Sequence, residues 1–141
     1  LASLIAAFVS VMLGLLIRDR WAKAKETKSK LIGLIIEGLD NILSDTFDYW
    51  SEKPNRRTAT KLNMLGARLK SRLQSLGGEV ERLLKKYHEA DHSHCMDLMA
   101  HLTDAATGGS FETADRQADP GRYTNTRKVA DKLRAKLLGY Q

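Results

Sequence analysis

Apolar and polar positions divide this chain into blocks with different periods. Leu1 to Ile17 (LASLIAAFVSVMLGLLI) is an uninterrupted uncharged run, and Arg18-Asp19-Arg20-Trp21 follows it directly. At ~1.5 Å of rise per residue a helix of that length covers about 25 Å, slightly less than the ~30 Å hydrocarbon core, so local thinning or a few residues upstream would complete a membrane span. A secretory signal would carry its positive charge before the apolar run rather than after it. A buried core helix is rarely apolar all the way round and then abruptly basic. Small residues recur at Ala2, Ala6, Ser10 and Gly14, which predicts one face where a second backbone approaches closely and the helix self-associates. From Arg18 to Lys30 there are six basic and two acidic residues. With Trp21 at the interface, the positive-inside rule places everything downstream in the cytoplasm, as a single-pass protein of the inner (plasma) membrane.

Beyond the collar, Ile32, Ile35, Ile36, Leu39, Ile42, Leu43, Phe47 and Trp50 follow the i, i+3, i+4, i+7 spacing of an amphipathic helix that Pro54 stops. The denser Leu31 to Ile36 stretch (LIGLII) predicts packing on two sides or a position near the membrane surface. No strong breaker separates Ile17 from Leu31, so the first helix is expected to run on into this one as a continuous rod. A second tract begins near Thr58, with leucine every seven residues at Leu62, Leu69, Leu76 and Leu83. Leu65, Leu73, Val80 and Tyr87 fill the companion positions of this coiled-coil-like seam, which favours self-assembly. The phase survives Gly77-Gly78, which predicts a weakened or kinked helix there, with a turn as the alternative. Apolar positions resume through Met96, Leu98, Met99 and Leu102, and residues 107–125 read as a loop with a turn at Pro120-Gly121. A last short helix is expected from near Thr124 to Thr126, burying Val129, Leu133 and Leu137.

The expected fold class is therefore all-α: an N-terminal transmembrane helix (1–17), a basic juxtamembrane collar (18–30) and a small cytosolic helical bundle (31–141). No segment alternates as a strand would. The single cysteine, Cys95, rules out an intrachain disulfide and suits a reducing compartment. The net charge of +6 conceals alternating blocks: residues 18–30 carry +4, 31–54 carry −4, 55–86 carry +7, 87–121 carry −6 and 122–141 carry +5. Antiparallel helices would set basic blocks against acidic ones, within a protomer or between protomers; solvated faces of little energetic value are the alternative.

All four histidines, His88, His92, His94 and His101, fall within fourteen residues that also hold Cys95, Glu89, Asp91 and Asp97. His88-Glu89-Ala90-Asp91-His92 has the letters of H-E-x-x-H, in which histidines one turn apart bind zinc and the Glu is general base. The charged context of Lys85, Lys86 and Asp91 and the lack of a sheet speak against a metallopeptidase, and Glu112 is the only third ligand to suggest itself, so neither a metal nor a cofactor is expected. Arg82 and His88, separated by five residues, make a second candidate, in which the histidine would do acid–base work on a ribose hydroxyl and the arginine would neutralise phosphate. On a straight helix the two lie about 120° apart. The tract from Arg56 to Lys86 holds nine Lys or Arg and two Glu, enough to attract phosphate, but it lacks aromatic residues for base stacking. A membrane-facing basic surface or an acidic partner helix is the simpler reading.

The Arg82/His88 spacing resembles the Arg-His element of HEPN-fold ribonucleases, which are helical and usually dimeric. Together with the membrane helix, collar and small helical body, it gives the chain the look of the small membrane-anchored accessory proteins of type VI-B CRISPR antiviral systems. That resemblance implies a homo-oligomeric pore, a HEPN-like body, depolarisation during phage defence, and partnership with a nucleic-acid-guided effector protein or RNA. The leading expectation is thus an oligomeric membrane effector that forms or gates a pore, rather than an enzyme. The runners-up are a membrane-tethered HEPN-like ribonuclease using Arg82 and His88, and a scaffold without catalysis. The bilayer and further copies of the chain are the expected partners.

Overall fold

The computed structural model of the protein describes residues 1–113 and 115–141. Among the described residues the regular structure is helical throughout: α1 (Ala2–Ser51), α2 (Ala59–Tyr87), a 3-10 turn (Glu89–Asp91), α3 (His92–Thr107) and α4 (Gly121–Leu138). α1 crosses both expected boundaries, at 17/18 and 30/31, without a break, as the lack of breakers predicts. Its first thirty residues are exposed apart from half-buried Lys28, and burial begins at Leu31 and Ile32.

From there on α1 is the first helix of an up-down-up-down bundle, in which α1 packs on α2, α2 on α3, α3 on α4 and α4 back on α1. The amphipathic periods fill one core: Ile32, Ile35, Leu39 and Ile42 from α1 meet Leu69, Val80 and Leu83 from α2, Leu102 from α3 and Leu133 and Leu137 from α4, all at 0% exposure. Of the LIGLII stretch, Ile32 and Ile35 are buried, Leu31 and Ile36 are half-buried and Leu34 stays exposed, so the segment presents one wide face rather than two.

The leucine seam of α2 requires a correction. Leu62, Leu65, Leu69, Leu73, Leu76, Val80 and Leu83 are buried inside their own chain, so the heptad spacing builds the protomer and leaves that seam nothing to bury in a homo-oligomer. α2 also passes through Gly77 and Gly78 as uninterrupted helix. A Cβ at Gly77 would only graze Met99 Cε at 3.9 Å, and one at Gly78 would meet nothing, so neither packing nor backbone geometry there demands a turn.

Sequence-local chemistry sets the ends. α1 stops where Glu52 turns extended ahead of Pro54. Asn55 Oδ1 then accepts hydrogen bonds from the backbone N–H of Arg57 (2.8 Å) and Thr58 (3.0 Å), which closes the turn into α2. α4 begins at Gly121, earlier than the pattern at Thr124–Thr126 suggests, because Pro120 (φ −63) stands at the cap with its backbone already helical. The connection before it is fastened to the end of α1. Asp119 N–H donates to Trp50 O (2.9 Å), Glu112 N–H donates to Tyr49 Oη (2.9 Å), and buried Arg116 lies over the Tyr49 ring at 4.4 Å while donating to Glu52 O (2.8 Å).

The alternating charge blocks are used within the chain. Asp45, 2% exposed on α1, accepts from Arg68 (2.7 and 3.2 Å) and Arg72 (2.7 Å) on α2. On the other flank α4 meets the acidic blocks through Arg134–Asp40 and Lys136–Asp91.

Candidate functional site

The candidate site lies where the rod leaves the bundle. Over its most apolar 18-residue window α1 has a mean hydropathy of 1.8 and none of that window is buried. Leu4, Ile5, Phe8, Val9, Val11, Met12, Leu13, Leu15, Leu16 and Ile17 are all between 44% and 72% exposed, and they lie all around the helix. Ala2, Ala6, Ser10 and Gly14 are equally open, and a Cβ at Gly14 would touch nothing. Among the described residues this half of α1 meets no other element of its own chain.

One turn past the apolar run, Trp21, Lys25, Lys28 and Ile32 fall at i, i+4, i+7 and i+11 and so share one helix face. That face looks onto the end of the bundle, where α2 finishes at Tyr87 and the chain after α4 reaches Tyr140 and Gln141. Between them is a cavity of about 410 Å³. Lys28 Nζ lies 5.8 Å from the Tyr87 ring centre and 5.9 Å from that of Tyr140, within cation–π range of both. Trp21 stands 77% exposed at the outer edge.

Behind Tyr140 runs a string of polar groups. The Tyr140 hydroxyl donates to Asp91 Oδ2 (2.7 Å), Lys136 Nζ lies 3.4 Å from Asp91 Oδ1, and Cys95 Sγ sits 3.9 Å from the same hydroxyl. The His88 ring stacks on Tyr140 with centres 3.8 Å apart, and its Nε2 is buried without a hydrogen-bond partner. The Tyr140 hydrogen bond holds the Asp91 carboxyl below its ordinary range. Burial, reinforced by that bond, raises the Tyr140 phenol far above its ordinary value, and burial also raises the Cys95 thiol. Burial and the charge of Lys28 lower His88. Near neutral pH the thiol and phenol therefore keep their protons, which is the inert condition for a cysteine rather than the activated one. The group ties the chain after α4 to the 3-10 turn, the start of α3 and the end of α2.

The pairs suggested by spacing are separated. Arg82 is exposed on α2, over a shallow depression shared with Gly78, Glu81, Lys85 and Lys86, whereas His88 ends α2 and turns beneath Tyr140. Among the described residues neither a hydrogen bond nor a cavity joins them. The H-E-x-x-H letters are split across the end of α2, the 3-10 turn and the start of α3, so His88 and His92 do not share a helix face. His92 Nε2 faces Glu81 Oε1 at 3.6 Å, His94 and His101 are exposed, and Glu112 is paired with Lys70 at 2.7 Å. No group of three or more His, Cys, Asp or Glu able to hold a metal occurs among the described residues.

Lys28, Tyr87 and Tyr140 carry no motif, and only the fold brings them together. The available signal was a tyrosine at the end of each of two basic helices. No family model matches the chain, and neither a curated protein nor a solved structure matches it significantly.

Proposed function

We propose that the protein is anchored in a membrane by the first half of α1, with its bundle on the cytoplasmic side, and that copies associate through the Ala2/Ala6/Ser10/Gly14 face to form or gate a pore. One observation carries the anchoring: a helix apolar around its whole circumference, none of it covered by its own chain. A single partner helix would cover one stripe of such a surface, whereas lipid covers all of it, and soluble monomers rarely expose contiguous apolar area above a few hundred Å². The collar, with six basic residues from Arg18 to Lys30, supports that orientation.

The small-residue face supports close helix approach. In such an assembly Ser3 and Ser10 supply the only hydroxyls along the span, and Arg18, Asp19 and Arg20 ring the cytoplasmic mouth. The same architecture underlies the likeness to membrane-anchored CRISPR accessory proteins, and on this reading the pore would depolarise the membrane in antiviral defence.

The test is dye release from liposomes reconstituted with the full chain, beside a version lacking residues 1–17. Leakage with the full chain alone is the expected result. Sealed vesicles holding inserted protein would overturn the pore and leave an anchor, and failure of the full chain to float with vesicles would overturn the anchor as well.

A further inference from the structure

We propose that the cavity between α1 and the bundle end binds an anionic phospholipid, with its phosphate held by Lys25 and Lys28 and its glycerol and upper chain lying against Trp21 and the tyrosine rings. The inference rests on the anchored reading above and names the lipid class which that reading leaves open.

Charge is the first argument. Lys25 and Lys28 both line the cavity, and among the described residues neither forms an ion pair, whereas Lys30 on the adjoining face is paired with Glu26 at 3.1 Å. The nearest acid on the bundle side, Asp91, already receives the Tyr140 hydroxyl and the Lys136 ammonium. Two ammonium groups beside an aromatic wall therefore face a cavity whose lining, among the described residues, includes neither Asp nor Glu.

Depth is the second. Taking Ile17 as the edge of the hydrocarbon, Trp21 lies ~6 Å and Lys25 ~12 Å further along the axis. Side chains on a helix lean toward its N-terminus, here toward the bilayer, so Lys25 reaches back into a headgroup layer about 5–7 Å thick, while Lys28, ~16 Å along the axis, stands deeper in the cavity beside the Tyr87 and Tyr140 rings. The bundle end supplies Tyr87, Tyr140 and Gln141 to the cavity, and α1 supplies Trp21 on the side nearer the apolar run. Trp21, 77% exposed, has the amphipathic ring expected at that level.

Shape is the third. A polybasic collar alone would bind any anionic surface diffusely. A concave site of about 410 Å³ with cations on one wall and the rings of Tyr87 and Tyr140 on the other selects an individual lipid, because the phosphate and the apolar part are engaged together.

The experiment reconstitutes the full chain in nanodiscs of phosphatidylcholine with and without phosphatidylglycerol, and counts retained lipids by native mass spectrometry. Lys25→Gln/Lys28→Gln is compared with Lys23→Gln/Lys30→Gln, which removes the same charge from the collar outside the cavity. The expected result is phosphatidylglycerol retained with the wild type and with the Lys23/Lys30 variant, and retention reduced on the order of tenfold in the Lys25/Lys28 variant. Equal losses in the two variants would overturn the site in favour of diffuse attraction. Insertion into phosphatidylcholine without any preference for phosphatidylglycerol would overturn it while the anchor stands, and failure to insert would overturn both. Displacement of the retained lipid by soluble glycerol phosphate would show a phosphate site that does not need the acyl part, and would overturn the assignment to a phospholipid.

Discussion

The two halves of α1 belong to one unbroken helix and have opposite fates. From Ile32 to Trp50 its apolar residues are spaced along one face, the polar residues between them, Asp45 and Thr46 apart, face water, and Ile32, Ile35, Leu39 and Ile42 are fully buried. From Leu4 to Ile17 the apolar residues are denser and none is buried. Hydrophobicity alone therefore does not produce a core. A bundle position needs a polar side to show to water, and a residue run without one has to find another solvent. On the anchored reading proposed above, the junction at Trp21–Lys28 is where the chain would pass from lipid to water.

The sharpest way to break the comparison is the same substitution in each half. Leu39→Asp removes a side chain at 0% exposure and buries a carboxylate without a partner, at a cost expected to exceed ~5 kcal/mol, comparable with the whole stability of a small domain. Circular dichroism should find the bundle unfolded. Leu13→Asp touches nothing in the bundle and should leave its melting temperature unchanged in detergent, while adding ~2.5–3.5 kcal/mol to insertion and weakening flotation with vesicles. A bundle destabilised by Leu13→Asp would show that the first half of α1 packs after all.

Charges on the two halves should differ in the same way, with smaller effects. Asp45 is 2% exposed and accepts three hydrogen bonds from Arg68 and Arg72, whose heads are partly in water. Asp45→Ala should cost about 1–3 kcal/mol in urea unfolding. Glu26 pairs with Lys30 where both are well exposed, so Glu26→Ala should change stability by less than ~0.5 kcal/mol. Equal effects at the two sites would remove the distinction between the halves.

His88, beneath the junction, adds a dependence on pH. It is faced by Lys28 from α1, Asp91 from the 3-10 turn, and Lys136 and Tyr140 from α4 and its extension, and burial with the charge of Lys28 lowers it from its ordinary 6.5. The unfolded chain therefore takes up this proton before the folded one does. Stability is undiminished above about 6.5 and falls as the pH drops from there toward the lowered folded value. His88→Gln should flatten that part of the melting temperature against pH, and an unchanged profile would show that another group controls it.

Much of this architecture was legible in the sequence, and what was not has physical causes. The unbroken rod followed from the absence of Pro or Gly-Gly between Ile17 and Leu31, and the stop at Pro54 from its restriction on the residues before it. The seam of α2 was readable in phase but not in partner, because heptad leucines look the same whether they face their own chain or another copy. The start of α4 was read late because Pro120-Gly121 signals a turn and a helix entry equally well. Arg82 and His88 are not brought together within the chain because α2 ends at Tyr87 and redirects His88, while Lys28, Tyr87 and Tyr140 went unread because two of them stand near opposite ends of the chain.

The smallest predicted effects separate glycines that the comparison treats differently. Gly33 and Gly14 are both interior helical positions where a Cβ would meet nothing within 4 Å. In water the added methyl restricts the unfolded chain and costs no contact, so Gly33→Ala should stabilise the bundle by about 0.5–1 kcal/mol in urea unfolding. Gly14 lies outside the bundle, and Gly14→Ala should leave that midpoint unchanged. On the anchored reading its openness matters within a bilayer, where a bulkier side chain would hold a second backbone away. Gly14→Ile should therefore reduce oligomer size in crosslinking from vesicles while the bundle melts as before. An unchanged oligomer would exclude that face as the contact and leave the projecting helix as an anchor surrounded by lipid.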